Sequence, residues 1–166
     1  YYPFADSIQQ QKRVVVNSPL QLRDGRYEID FADFERKAAS PRCRAFVLSN
    51  PHNPVGRVYT EEELRRVGEI CRRHHVFVIA DEIHSDLIFP GHQHIVFASL
   101  GQNYAENCAV CHAPSKTFNL AGLSFSCIMI PNEERRKRFD QMFARYCRAH
   151  PNFFAPVAAK AAWDHG

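Results

Sequence analysis

The apolar positions of this chain recur with two different periods, which predict strands and a helix. A nearly continuous apolar run over 44–49 predicts a buried strand, and a similar run over 76–80 predicts a second one. Between them, Thr60 and Glu63 have the spacing of a capping box, and apolar residues at 64, 67, 70 and 71 form a helical stripe. Strand, helix and strand in this order predict a βαβ unit and therefore a parallel sheet.

Two later apolar runs extend this sheet. They cover 108–113 and approximately 125–130, and only about ten residues separate them. A connection of that length is too short for a helical crossover, so we expect the first run to be parallel and the second antiparallel. The predicted fold class is α/β, a three-layer αβα arrangement with a mostly parallel sheet that carries one antiparallel strand.

The remaining pattern predicts smaller elements. Val14–Val16 is a candidate strand, Asp24-Gly25 a turn, and 33–39 a short helix. Asn132 is a candidate N-cap for a helix through about residue 148. The predicted buried stripe of that helix consists of Phe139, Met142, Phe143 and Tyr146, and a further helix is predicted over 156–163.

Composition and charge exclude several classes of function. The chain has 166 residues, 45% of them apolar and 23% charged, which is typical of one soluble globular domain. No apolar stretch reaches the roughly 18–20 residues of a membrane span, so we expect no membrane association. A net charge of +3 is too small to indicate nucleic acid. The basic run 135–138 is interpreted as the solvated face of a helix, with a nucleic-acid patch as the alternative.

Cysteine and histidine positions favour neither disulfides nor a metal. Three of the six cysteines lie in apolar runs, where cysteine acts as a small hydrophobic residue. We therefore expect reduced, structural cysteines in a cytoplasmic protein. The one close histidine pair, His92 and His94, lies in a loop near Gly91, and we expect no metal there.

Three polar groups follow the predicted parallel strands. Asn53 follows the first strand, Asp81 the second, and Lys116 the third. Ligands of open α/β sheets bind outside the carboxyl ends of the strands, so these groups are expected to converge. Each has a simpler interpretation: Asn53 as a turn residue, Asp81 as a strand-end or cap residue, and Lys116 as a surface lysine.

Together, these groups suit pyridoxal 5'-phosphate (PLP). This cofactor needs a carboxylate beside its ring nitrogen, a lysine that forms a Schiff base with its aldehyde, and hydrogen-bond donors for its phenolate oxygen. A carboxylate, an amine and an amide are the groups of Asp81, Lys116 and Asn53.

The segments 50–58, 81–84 and 115–122 resemble those of fold-type I PLP enzymes in the class I and II aminotransferase family. More narrowly, they resemble the MalY/PatB group of cystathionine β-lyases. The similarity runs nearly end to end. Family members are considerably longer, so 1–166 is expected to be the central part of the PLP-binding large domain, without the N-terminal segment and the C-terminal small domain. The resemblance also implies a homodimer.

The resemblance implies a role for each matching residue. Lys116 would be the Schiff-base lysine and catalytic base, Asp81 would pair with the pyridine nitrogen, and Asn53 would contact the phenolate oxygen. His84 would contact the same oxygen, and Tyr1 would stack on the ring. Ser115 is a candidate phosphate ligand, because the family's usual phosphate-binding positions are occupied here by Ala113 and Ser124.

The expected function is that of a PLP-dependent carbon–sulfur β-lyase. It would act on L-cysteine S-conjugates by α,β-elimination and release a thiol, pyruvate and ammonia. A class I/II aminotransferase is the alternative for the whole protein. For the isolated chain, the alternative is a non-catalytic folded fragment.

Overall fold

The computed structural model describes residues 1–147 and 152–166. The helices and strands, in chain order, are α1 (Tyr2–Gln10), β1 (Gln21–Arg23), β2 (Arg26–Glu28), α2 (Phe31–Ala38), β3 (Ala45–Ser49), α3 (Glu61–Arg73), β4 (Phe77–Asp81), α4 (Gln102–Ala105), β5 (Cys108–His112), β6 (Cys127–Met129), α5 (Glu133–Tyr146) and α6 (Ala155–His165). Short 3-10 turns cover Phe97–Leu100 and Ala121–Leu123.

The main sheet has the predicted topology. Its strand order is β3-β4-β5-β6, with β3, β4 and β5 parallel and β6 antiparallel to β5. In this register Ser49 lies opposite Asp81, and Asp81 lies opposite Cys111. The hairpin of β1 and β2 forms a separate small sheet, with Asp24-Gly25 at its turn as predicted. The α/β class and the mostly parallel sheet with one antiparallel strand are confirmed.

Helix α3 begins where the sequence predicts. Thr60 Oγ1 accepts a hydrogen bond from the Glu63 amide (3.2 Å), and Glu63 Oε2 accepts one from the Thr60 amide (2.8 Å). Leu64 and Val67 on this helix are fully buried, and they belong to one core cluster with Val78 of β4. Helices α2 and α3 therefore cover one face of the sheet.

The opposite face of the sheet is less deeply buried. Along β4, Val78 and Ala80 are buried, whereas Phe77 and Ile79 between them are half-buried, because successive side chains point to opposite faces. Helix α5 contacts this second face through Arg135, whose guanidinium lies 4.9 Å from the centre of the Phe77 ring. The sheet therefore separates α3 from α5, as the predicted layers require.

Two element predictions are wrong. Val14–Val16 forms no strand, and Val14 is 83% exposed. A β-branched run favours an extended backbone but makes a strand only where a partner strand pairs with it. The apolar stripe of α5, predicted to be buried, is exposed, from 36% for Phe139 to 66% for Tyr146. Helical periodicity specifies a common face and does not specify what covers that face.

Other predictions for this region are confirmed. Asn132 Oδ1 caps α5 by accepting a hydrogen bond from the Arg135 amide (2.9 Å). The basic residues 135–138 are all exposed, as expected of a solvated face. The predicted end of this helix near 148 lies outside the described residues, and α6 covers the segment predicted as the final helix.

Candidate active site

One cavity at the carboxyl edge of the parallel strands collects most of the predicted site residues. Its lining residues are Tyr1, Phe4, Ser49, Asn53, Asp81, Ile83, His84 and Lys116. Five of the six predicted cofactor residues are thus brought together, although they come from four separate stretches of the chain. The convergence follows from the parallel alignment of β3, β4 and β5, which ends all three strands at the same edge.

Asp81 lies in the cavity wall because it is the last residue of β4 and points away from α3. Ser49 of β3, which lies opposite Asp81 in the sheet, points to the same face and also lines the cavity. Asp81 Oδ1 accepts a hydrogen bond from the Ile83 amide (3.2 Å). Burial raises the pKa of the Asp81 carboxyl, and that hydrogen bond offsets part of the rise.

The loop that carries Asn53 is fixed by its backbone at both ends. The Asn50 amide donates to the carbonyl of Asp81 (3.0 Å), which joins the start of the loop to the end of β4. The His52 amide donates to the carbonyl of Arg57 (2.7 Å), which closes the loop. Gly56 has a φ of +71°, a conformation that glycine adopts without steric cost. These backbone hydrogen bonds define the turn that places Asn53 in the cavity wall.

Lys116 lies in a second fixed turn. The Phe118 amide donates to the carbonyl of Pro114 (3.0 Å), and the Leu120 amide donates to the carbonyl of Ser115 (3.1 Å). Lys116 itself is exposed on the cavity side of this turn. The Thr117 hydroxyl donates to Asp86 Oδ2 (2.7 Å), so the lysine turn is tied to the segment that follows His84.

Two aromatic residues from the start of the chain close the cavity. Tyr1 and Phe4 have ring centres 5.3 Å apart at an interplanar angle of 82°, and both line the cavity. Tyr1 is 61% exposed, whereas Phe4 is half-buried. Tyr1 therefore lies in the cavity wall together with Phe4, and its stacking on a cofactor ring stays a prediction.

Ser115 is not brought into this group. It is half-buried beside Lys116, but it is absent from the residues that line the cavity. Its role as a phosphate ligand therefore stays a prediction.

Sequence reasoning missed three lining residues, Phe4, Ser49 and Ile83. Ser49 could have been found, because it is the polar residue that ends a buried strand. No pattern in the sequence distinguishes Ile83 or Phe4 from core residues.

A wider cleft adjoins the cavity. Its volume is about 590 Å³, and it shares Asn53 and His84 with the cavity. Its other walls include apolar residues such as Leu87 and Phe89 and basic residues such as Arg26 and Arg57. The two spaces together form an opening from the strand edge towards the surface.

Over 1–147 and 152–166, no group of three or more His, Cys, Asp or Glu side chains is placed to hold a metal ion. His94 pairs with Glu82 instead (2.9 Å). Within the same residues, no helix is both long and apolar enough to cross a membrane.

All six cysteines are free thiols. Burial raises the pKa of the Cys71 and Cys108 thiols to about 12, so both are protonated near neutral pH. The reduced state of the cysteines in the whole protein stays a prediction.

Comparison with proteins of known sequence gives a consistent result. Residues 1–165 match the family described as aminotransferase class I and II. The chain is 44% identical over 166 residues to cystathionine beta-lyase PatB of Bacillus subtilis. This match covers 100% of this chain and 43% of that protein. It is 29% identical over 167 residues to protein MalY of Escherichia coli, across 42% of that protein.

Solved structures agree with the sequence comparison. Cystalysin from Treponema denticola, which contains a pyridoxal 5'-phosphate cofactor, superposes with a TM-score of 0.96 at 35% identity, over 99% of this chain and 42% of that one. The PLP-bound C-S lyase from Staphylococcus hominis superposes with a TM-score of 0.92 at 37% identity, over 100% of this chain and 41% of that one.

The chain spans about two fifths of the length of the relatives it matches. The match nevertheless covers essentially all of its own residues, including the three motifs that carry the resemblance. The chain therefore belongs to the aminotransferase class I and II family.

Proposed function

We propose that this chain carries the PLP-binding core of a carbon–sulfur β-lyase that acts on L-cysteine S-conjugates. The observation that carries the proposal is the single cavity lined by Lys116, Asp81, Asn53, His84 and an aromatic pair. The names of the relatives, which include cystathionine beta-lyases and C-S lyases, support the same chemistry.

The donor set fits the ring of PLP. A half-buried carboxylate suits a protonated ring nitrogen, because the positive charge offsets the desolvation that raises the pKa of Asp81. Asn53 and His84 supply polar groups for the phenolate oxygen, and Tyr1 supplies an aromatic face. When bound, PLP supplies an electron sink that weakens the bonds at Cα of an amino acid.

The residues of this chain would divide the remaining work. Lys116 would hold the cofactor aldehyde through its amine and then take the proton from the substrate Cα. Asp81 would keep a proton on the ring nitrogen. After that proton leaves, the electron pair of the Cα–H bond would form a Cα=Cβ double bond, and the Cβ–S bond would break with its electron pair departing on sulfur as a thiolate. Hydrolysis of the remaining unsaturated amine by water would give pyruvate and ammonia. The cleft beside Asn53 and His84 offers room for the sulfur-linked part of the substrate.

The reaction class is tested with the whole protein that contains this chain. Incubation with PLP and cystathionine is expected to release pyruvate and a thiol, and Lys116→Ala is expected to abolish both. A control, Lys160→Ala, changes an exposed lysine on α6 and should leave the rates unchanged. Exchange of amino groups with keto acids in the absence of thiol release would contradict the lyase proposal.

A class I/II aminotransferase is the second candidate. Aspartate aminotransferase of Geobacillus stearothermophilus is 30% identical to this chain over 129 residues, so the same core occurs in both activities. The cystathionine test separates the lyase from the aminotransferase, because elimination breaks the Cβ–S bond and transamination leaves it intact.

For the isolated chain we propose weak cofactor binding. Tyr1 is 61% exposed and Lys116 is also exposed, so solvent reaches two sides of the cavity. A titration with PLP should give a faint visible absorbance band that Lys116→Ala removes. A strong band at stoichiometric PLP would overturn this expectation.

The assembly and location of the whole protein are also proposals. A homodimer and a cytoplasmic location follow from the family resemblance alone. Analytical ultracentrifugation of the whole protein tests the first, and cell fractionation tests the second.

A further inference from the structure

Glu82 is a buried acid that the proposed chemistry does not use. It is 2% exposed, and it is the only carboxylate among the buried residues of the described chain. It directly follows Asp81, but it points to the α3 side of the sheet, away from the cavity that Asp81 lines.

Both ends of Glu82 are held by neighbouring segments. Its carboxylate accepts a hydrogen bond from the Phe97 amide (2.8 Å) and lies 2.9 Å from His94 Nε2. Its amide donates to the carbonyl of Cys111 (2.9 Å), and its carbonyl lies 3.2 Å from His112 Nδ1. Glu82 therefore joins the end of β4 to β5 on one side and to the 94–97 segment on the other.

Stability alone gives no reason for this pair. Burying a carboxylate carries a large desolvation cost, and apolar residues of similar size commonly stabilise a core as well or better. His94 is 8% exposed, and its Nδ1 has no hydrogen-bond partner among the described residues. The Glu82–His94 pair instead fixes the position of the backbone at the end of β4 relative to the 94–97 segment.

That backbone carries the cavity residues. Ile83 directly follows Glu82, its amide donates to Asp81 Oδ1 (3.2 Å), and His84 comes next in the cavity wall. Any rotation at Glu82 would move all three groups, because they lie within two residues of it.

We propose that Glu82, anchored by His94 and the Phe97 amide, is a positioning residue that holds Asp81 and His84 in the cavity wall. The inference rests on the proposed function of that cavity. Glu82 itself touches neither cofactor nor substrate in this scheme.

The first test is amide hydrogen exchange on the chain without cofactor. Glu82→Gln keeps an oxygen for the Phe97 amide but loses the anionic partner of His94. It is expected to accelerate exchange at Ile83 by roughly tenfold, the effect of losing one charge-assisted hydrogen bond. In a chain that keeps Glu82, His94→Gln retains a donor for the carboxylate and should keep most of the protection at Ile83, whereas His94→Ala removes the donor and should lose it.

A matched control separates positioning from general stability. Val67→Ala removes two buried methyl groups from α3, outside the cavity lining, and lowers the overall stability. It should leave exchange at Ile83 unchanged, because that amide opens locally. Equal acceleration at Ile83 in Val67→Ala, or none in Glu82→Gln, would overturn the proposal.

The second test measures, by equilibrium dialysis, how much PLP is retained by the whole protein that contains this chain. Glu82→Gln should bind roughly tenfold more weakly than the wild type, and Val67→Ala should bind like the wild type well below its unfolding temperature. If the wild type retains no PLP, the proposed function fails for this chain, and the exchange at Ile83 still decides whether Glu82 positions the segment. If the wild type and Glu82→Gln retain PLP equally, the positioning role is wrong and the proposed function stands.

Discussion

Asp81 and Glu82 are neighbours in sequence, yet their side chains lie on opposite faces of the sheet. Asp81 lines the cavity, and Glu82 is bound into the side that α3 covers. The difference arises from the two-residue period of strand side chains, which places adjacent residues on opposite faces. At this scale, the chemistry of the site depends on the register of one strand as much as on residue type.

The half-buried carboxylate of Asp81 should make the stability of the cofactor-free protein depend on pH. Burial raises the pKa of Asp81, so the folded state holds this proton more tightly than the unfolded state. Its contribution to stability is fully present below the ordinary pKa of about 3.9 and is lost as the pH rises through the raised pKa. The wild type should therefore lose free energy of unfolding across that window relative to Asp81→Asn.

Urea unfolding at a series of pH values measures this difference. Asp140→Asn, which changes an exposed carboxylate on α5, is the matched control and should follow the wild type. Parallel pH profiles for the wild type and Asp81→Asn would contradict the assignment of a raised pKa.

Among the elements, α3 shows how local sequence signals place the two strands, β3 and β4, that lead into the site. Its capping box sets the first turn directly after the Asn53 loop, and its buried face fixes β4 against it. The ends of β3 and β4, where Ser49 lies opposite Asp81, are thereby placed side by side, and the Asn53 loop follows directly after β3. The cap and the packing of α3 each give a prediction.

Thr60→Ala should lower the free energy of unfolding by about 1 kcal/mol, because it removes the hydroxyl that accepts the hydrogen bond from the Glu63 amide, while the bond from the Thr60 backbone amide to Glu63 remains possible. Thr60→Ser retains the hydroxyl and serves as the control. Chemical denaturation measures both. Equal losses in the two variants would show that the methyl group, rather than the cap, matters.

Gly68→Ala should destabilise α3 even though alanine favours helices. A Cβ at this position would lie 2.4 Å and 2.5 Å from two ring carbons of Tyr104. The resulting overpacking costs roughly 1–3 kcal/mol, more than the helix propensity gained. Thermal unfolding of Gly68→Ala, Tyr104→Ala and the double variant tests this, since the loss should be largely relieved once the ring is absent.

Across the whole molecule, burial is uneven. The side of the sheet beneath α2 and α3 holds a continuous core, whereas α5 presents an exposed apolar stripe on its surface. The cavity lies at the carboxyl edge between these two environments. This arrangement predicts where a hydrophobic probe should bind.

The dye ANS should bind this chain through the stripe formed by Phe139, Met142, Phe143 and Tyr146. Met142→Gln with Phe143→Gln should lower ANS fluorescence and change the free energy of unfolding by no more than about 0.5 kcal/mol per substitution, because these side chains are exposed. Leu22→Gln changes an exposed residue elsewhere and is the control. A large loss of stability in the double variant would show that the stripe is packed.

Local sequence signals predicted most of the fold. The capping box, the apolar runs of β3, β4 and β5, and the short connection before β6 each depend on residues close together in the chain. The sequence failed at Val14–Val16 and at the α5 stripe, where the outcome depends on a distant partner. Apolar periodicity reports the tendency to bury a face, and it carries no information on whether another element lies against that face.

The site divides in the same way. The order of the strands by itself predicted that Asn53, Asp81 and Lys116 converge, because parallel strands end at one edge of a sheet, whereas His84 was added by the family resemblance. Only the tertiary structure decided that Phe4 joins Tyr1 in the cavity wall and that Ser115 does not line the cavity. It also decided that Glu82 binds the Phe97 amide on the opposite side of the sheet from the cavity. These outcomes depend on contacts between residues far apart in sequence, and such contacts exist only once the chain has packed.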